Sequence, residues 1–227
     1  MTLPLVLIPG MMCDARMWGR VPAVLPCPVR HALPVGADSM AAIAARILAD
    51  APARFALAGL SMGGIVAMGI LHLAPERVAR VALLDTNPRA EVPQVQARRE
   101  PQIARAISGD LSGLMREQMI PNYLAQPNPE IDALCLEMAL TLGPDVFAEQ
   151  SRALRDRADR QDALRNYGGP ALVLTGAHDR LCPMDRHVLM QELLPNSDLV
   201  VIADAGHLPP LESPDATATA LRTWLEA

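Results

Sequence analysis

The sequence contains no lysine; its 20 fixed side-chain cations are all arginine. That absence excludes a lysine Schiff base and a P-loop lysine on this chain. A basic cluster is also missing, and the net charge is −5, which argues against a nucleic-acid-binding surface. Cys13, Cys27, Cys135 and Cys182 are scattered with no C-x-x-C pair, so neither a zinc knuckle nor a redox pair is indicated. They are expected to be small buried hydrophobes in a reducing compartment. Met1-Thr2 lacks a charged leader region, so no signal peptide is expected. No apolar run reaches transmembrane length without a Gly, Pro or charge, so no membrane partner is expected and the expected location is cytoplasmic. No group of His, Asp and Glu has metal-ligand spacing, so neither a metal nor a cofactor is expected.

What is present is an ordinary globular composition, 51% hydrophobic and 20% charged over 227 residues, enough for one large core. Short apolar runs at 3–8, 29–33, 54–57, 80–85, 171–175 and 199–202 read as strands. Helical patterns lie between them. Asp14 can cap one that Pro22 shortens or kinks, Ser39 caps a second, Pro183 opens another, and Ser213-Pro214 caps and starts the last. Strands alternating with helices imply a parallel sheet covered on both faces. Between 86 and about 169 the rhythm changes. No strand pattern appears, and helices are expected at 94–107, 111–119, 130–142 and 145–164. Met115, Met119 and Met138 are expected to help line an adaptable apolar pocket there. Arg152 to Arg160, with its alternating charges, reads as a solvated helix face.

The chemistry centres on Gly59-Leu60-Ser61-Met62-Gly63, set between an apolar strand and an apolar helix. A serine on so tight a turn presents its hydroxyl above the sheet edge. Asp179 and His207 also follow strands, in the order Ser61, Asp179, His207. A serine hydroxyl needs a base to take its proton, and a buried carboxylate orients the histidine that serves. Asp85, at the end of the preceding strand, is the second candidate acid. Its neighbours Thr86-Asn87-Pro88 suit it to local hydrogen bonding instead. Of the other histidines, His31 is placed at a strand edge, His72 near a helix end and His187 facing out from a helix. His178 reads as positional.

With Leu174 to Pro183, Asp204 to Pro214 and Leu7-Ile8-Pro9-Gly10-Met11-Met12, these motifs resemble the α/β-hydrolase superfamily, most nearly its small capped carboxylesterases and lactonases. The resemblance covers nearly the whole chain. It implies an α/β fold with roughly six mostly parallel strands, a core from 1–87 and 168–227, and a helical cap at 88–167. It also implies a triad of Ser61, Asp179 and His207, with backbone amides of Met11 and Met62 as the oxyanion hole and Met12 as the alternative to Met11. The first strand is expected to open the sheet, without the antiparallel strands that often precede it. The implied reaction is hydrolysis of a small ester or lactone without a cofactor. A carbon–carbon bond hydrolase, a perhydrolase and a non-catalytic binding module remain alternatives. Dehalogenase and epoxide hydrolase chemistry would need a carboxylate at Ser61. The number of subunits is left open.

Overall fold

Apolar runs long enough to be buried on both faces become the central strands. In the computed structural model, which describes residues 3–227, the strands are β1 Leu5–Ile8, β2 Val29–His31, β3 Phe55–Leu60, β4 Val78–Leu84, β5 Ala171–Gly176 and β6 Ser197–Ile202. Met1 and Thr2, on which the leader expectation rests, lie outside the described residues. All neighbouring pairs are parallel, in the order β2-β1-β3-β4-β5-β6. Every residue of β1, β3 and β5 is buried, which is why their sequences are continuously apolar rather than alternating. The edge strands differ: β2 is three residues long and β6 is half-exposed.

The helices are α1 Met40–Asp50, α2 Met62–Leu73, α3 Pro93–Arg105, α4 Leu111–Leu114, α5 Pro129–Arg155, α6 Gln161–Arg165, α7 Met184–Leu193, α8 Pro209–Glu212 and α9 Pro214–Glu226. Ser39 caps α1 as expected, its Oγ accepting from the Ala42 amide at 3.3 Å. The helix expected after Asp14 is instead two short 3₁₀ turns, Ala15–Trp18 and Val21–Val24. Pro22 lacks the N–H that a continuous helix would need. Ser213 makes no side-chain cap bond, so α9 starts on Pro214 alone.

Right-handed crossovers place α1, α2 and α7 on one face of the sheet. The turn Val21–Val24 packs on α9 and the turn Ala15–Trp18 on α8, covering the other. Strand order reverses at β1, whose neighbours are β2 and β3. The turns after β1 and β3 therefore flank the crevice that such a reversal leaves at the carboxyl ends of the strands. Pro9 to Met12 follow β1 and Ser61 follows β3.

From β4 to β5 the described residues contain only helices and turns. The break expected between the helices at 130–142 and 145–164 falls at Gly143, where α5 leaves helical backbone with φ 84°; the second of those helices ends at Arg155, and α6 covers the end of its expected span. Glycine adopts that backbone freely, and Pro144 then restarts the helix. Short π-type turns at Ala106–Asp110 and Met115–Met119 follow α3 and α4. The charged run from Arg152 is not a solvated face throughout: α5 stops at Arg155, and the Arg157 side chain is only 9% exposed. Among the described residues no helix is long and apolar enough to cross a membrane.

Candidate active site

Ser61 has φ 54° and ψ −116°, a left-handed conformation that a residue with a Cβ rarely adopts. The fold holds it there from two sides. Its amide donates to the Leu84 carbonyl at 2.9 Å, and the Thr86 hydroxyl donates to its own carbonyl at 2.7 Å. The turn closes only because Gly59 and Gly63 lack side chains. A Cβ on Gly59 would sit 2.2 Å from the Gly63 oxygen, and one on Gly63 would sit 2.1 Å from the Ile8 oxygen. The α2 amides emerge from this turn, Met62 first.

His207 lies in the loop after β6 and is buried. Its amide donates to the Tyr123 carbonyl at 2.6 Å, so the helical segment helps fix it. Glu212 holds the rest of the loop: its carboxylate accepts from the amides of Gly206, Leu208 and Ala125 at 2.9, 2.9 and 2.7 Å. The His207 Nδ1 lies 2.9 Å from Asp179 Oδ2. Asp179 Oδ1 accepts from the amides of Leu181 and Cys182 at 2.8 and 3.0 Å. Burial alone would raise the Asp179 pKa. The charge and hydrogen bond of His207 and those two amides outweigh it, holding the carboxyl below the ordinary range.

Asp85 ends up beside this pair but does a different job. It has φ 44° and is fully buried. Its Oδ1 accepts from the Gly176 amide at 2.9 Å, tying the end of β4 to the end of β5. Its Oδ2 has no donor among the described residues. Burial, and then the charge of Asp179, push its pKa well up. A proton on Oδ2 turns an orphaned acceptor into a donor toward Asp179.

Of the two oxyanion candidates after β1, the Met12 amide is already used: it donates to Gln150 Oε1 at 2.9 Å. The Met11 amide has no protein acceptor among the described residues. Gln150 itself is buried and donates through Nε2 to the Pro34 carbonyl at 3.0 Å.

His187 corrects the sequence reading. It is fully buried rather than facing out, and burial depresses its pKa to about 4. The helical pattern of α7 is weak, so periodicity gave no face for it. His31 and His178 are exposed and His72 lies near the end of α2, in the expected positions. Folding also gathers two groups that linear spacing could not reveal, Asp179 with Cys182 and His207, and Asp85 with Asp179 and His187, each within 4.8 Å. Their chemistry suits proton sharing better than metal ligation. Asp179 is engaged with His207, and burial raises both the Cys182 thiol and Asp85 against ionisation.

Ser61, His207 and Met11 line one cavity of about 450 Å³ between the strand ends and the helical segment. No hydrogen bond joins the Ser61 hydroxyl to His207 among the described residues. Such bonds are commonly long until a substrate is bound. Met119 and Tyr123 also line the cavity. Met115 and Met138 do not; both are packed into the core, so of the three methionines expected there only Met119 faces the space. Sequence reasoning missed Glu212, Gln150 and the cavity's charged wall. Gln150 left a signal: it is a polar residue on the same helical face as Phe147 and Leu154.

Residues 5–220 match the family model described as the alpha/beta hydrolase family. The chain belongs to that family. Over 203 residues it is 26% identical to the pimeloyl-[acyl-carrier protein] methyl ester esterase of Aliivibrio fischeri, covering 86% of this chain and 79% of that protein. A solved thermophilic esterase from Thermogutta terrifontis, with malate bound, is 30% identical with a TM-score of 0.89, covering 99% of this chain and 89% of that one. The enol-lactonase from Burkholderia xenovorans shares the fold at 22% identity and a TM-score of 0.88, covering 100% and 92%.

Proposed function

We propose that this hydrolase cleaves a small carboxylic ester through an acyl-enzyme. Ser61 Oγ attacks the carbonyl carbon while His207 Nε2 takes the hydroxyl proton. Asp179 fixes the ring through Nδ1 and stabilises the imidazolium. The amides of Met11 and Met62 receive the oxyanion. His207 then passes its proton to the leaving alcohol. A water, deprotonated by His207, attacks the acyl carbon and releases the acid and Ser61. No step calls for a cofactor. Residues 88–167 act as the cap that closes the acyl site. Four free cysteines are in keeping with a cytoplasmic protein.

The observation that carries this reading is the buried Asp179–His207 pair at 2.9 Å, opening onto the cavity that Ser61 enters from its strained turn. The esterase names of the relatives favour an ester over the other bonds this arrangement can cleave. A panel of p-nitrophenyl esters and lactones of graded acyl length tests it. Wild-type protein should hydrolyse short esters. Ser61→Ala should melt normally and lose several orders of magnitude in kcat, because the three residues act as a unit. A Ser61→Ala protein that kept most of its kcat would overturn the assignment.

A further inference from the structure

The cavity beside Ser61 has an unusual wall for a protein of net charge −5: five arginines, Arg98, Arg99, Arg157, Arg180 and Arg186, against the single glutamate Glu91. Two of the five are nearly buried. Arg99 and Arg157 are 11% and 9% exposed, and both pair with Glu91, itself 4% exposed. Arg99 lays Nε and Nη2 on the two Glu91 oxygens at 3.0 and 2.7 Å. Arg157 Nη1 reaches the same carboxylate at 2.7 Å, and its Nε donates to the Arg89 carbonyl at 3.0 Å.

Two guanidiniums therefore share one carboxylate, leaving one positive charge uncompensated in a largely dry site, which is costly unless something completes it. Burial would raise the Glu91 pKa, but Arg99 and then Arg157 hold it below the ordinary range, so Glu91 stays ionised and the surplus is real. The unused donors mark where a counter-charge would go. Arg157 Nη2 has no acceptor among the described residues, and Arg99 Nη1 has only the Met11 sulfur, at 3.8 Å. Met11 belongs to the turn that follows β1, so this charge borders the reacting end of the cavity. Arg98, Arg180 and Arg186 lie further out; of these Arg186 is partly neutralised by Asp185 at 3.1 Å.

We propose that the cavity contains a carboxylate-receiving subsite built on Arg99 and Arg157, so that the preferred substrate is an ester that also carries a free carboxylate. This rests on the ester-hydrolase reading for its second half only. A monoanion matches the surplus of one charge, and the flat guanidinium fork matches a carboxylate. The outer arginines steer the anion into the mouth.

The test compares monomethyl glutarate with methyl butyrate in the wild-type protein, and titrates glutarate and butyrate calorimetrically. The expected preference for the half-ester is about tenfold or more in kcat/KM, from one charge-assisted hydrogen-bonding contact. That preference should shrink with added salt. Arg157→Gln should raise KM for the half-ester much more than for methyl butyrate, and should weaken glutarate binding. Because Arg157→Gln also disturbs Glu91, Arg98→Gln on the exposed rim gives a second reading: a smaller preference and a flatter salt dependence. Hydrolysis of methyl butyrate with no preference for the half-ester and no glutarate binding would overturn the subsite and leave the esterase reading intact. Tight glutarate binding, lost in Arg157→Gln, in a protein that hydrolyses no ester would support the subsite and sink the esterase reading.

Discussion

Two neighbouring carboxyl groups with opposite pKa shifts decide what Asp179 and Asp85 can each do. Asp179 is ionised because His207 and two amides favour its charge. Asp85 is pushed well up, toward the neutral acid, because burial and then the adjacent Asp179 disfavour a second charge. Replacing Asp179 by Asn should leave the fold intact and cut kcat by on the order of 10⁴. Asp85→Asn mimics the neutral acid, so its kcat should stay within a few-fold of wild type. The pair should be made side by side, with melts as the folding control; a large loss confined to Asp85→Asn would reverse the roles. Stability carries a second signature. Folded Asp85 keeps its proton above the unfolded carboxyl's 3.8, so above that pH the unfolded chain binds fewer protons and stability falls as pH rises. The Tm of wild type relative to Asp85→Asn should therefore decline between pH 4 and neutrality. Asp179 has the opposite sign: its contribution is present above 3.8 and is lost on acidification through its lower folded pKa. The sequence named both aspartates because each follows a strand. It favoured Asp179 from the residues beside each, but could not show the partners, since the Gly176 amide that occupies Asp85 and the two amides that hold Asp179 are set by loop shape.

At the scale of elements, the strand–turn–helix around Ser61 and the bent α5 make different demands. The first was legible residue by residue, because glycine at 59 and 63 is the only residue that lets β3, α2 and the end of β1 approach so closely. Gly63→Ala would drive a methyl into the Ile8 carbonyl, and the expected result is protein that fails to express in folded form. The second was legible only in part. The break at Gly143-Pro144 separates the two helices read from the sequence, but the stop at Arg155 depends on what α5 packs against, and periodicity had extended the helix to 164. From α5 Gln150 reaches the Met12 amide, so the helical segment props the turn after β1. Gln150→Leu should strand the Met12 N–H and the Pro34 carbonyl without partners. The cost should be about 1–3 kcal/mol for each such group, together with a lower kcat. Denaturant melts and steady-state kinetics check both; unchanged stability and kcat would mean the turn holds itself.

For the whole molecule, the alternation of six strands with helices was readable because central parallel strands are buried on both faces and stay apolar throughout. The edges read worst, since β2 and β6 bury little. The charged wall of the cavity was invisible. Arg157 lies 66 residues from Glu91, and it joins the Glu91–Arg99 pair only when the segment between β4 and β5 folds over the sheet. Burial also predicts the thiol chemistry. Cys13 and Cys135 are pushed up, Cys135 to about 12, so the native protein should resist alkylation at both and react at all four cysteines once denatured. Rapid modification of native Cys13 or Cys135 would mean the core opens readily. The claim on which everything else rests is that Ser61 is an activated nucleophile. It is tested most directly by treating native protein with a fluorophosphonate, reading the intact mass and mapping the adduct. One adduct per chain, on Ser61, absent from Ser61→Ala and much slowed in Asp179→Asn, is the expected result; native protein that turns over esters yet carries no adduct at Ser61 would contradict the account.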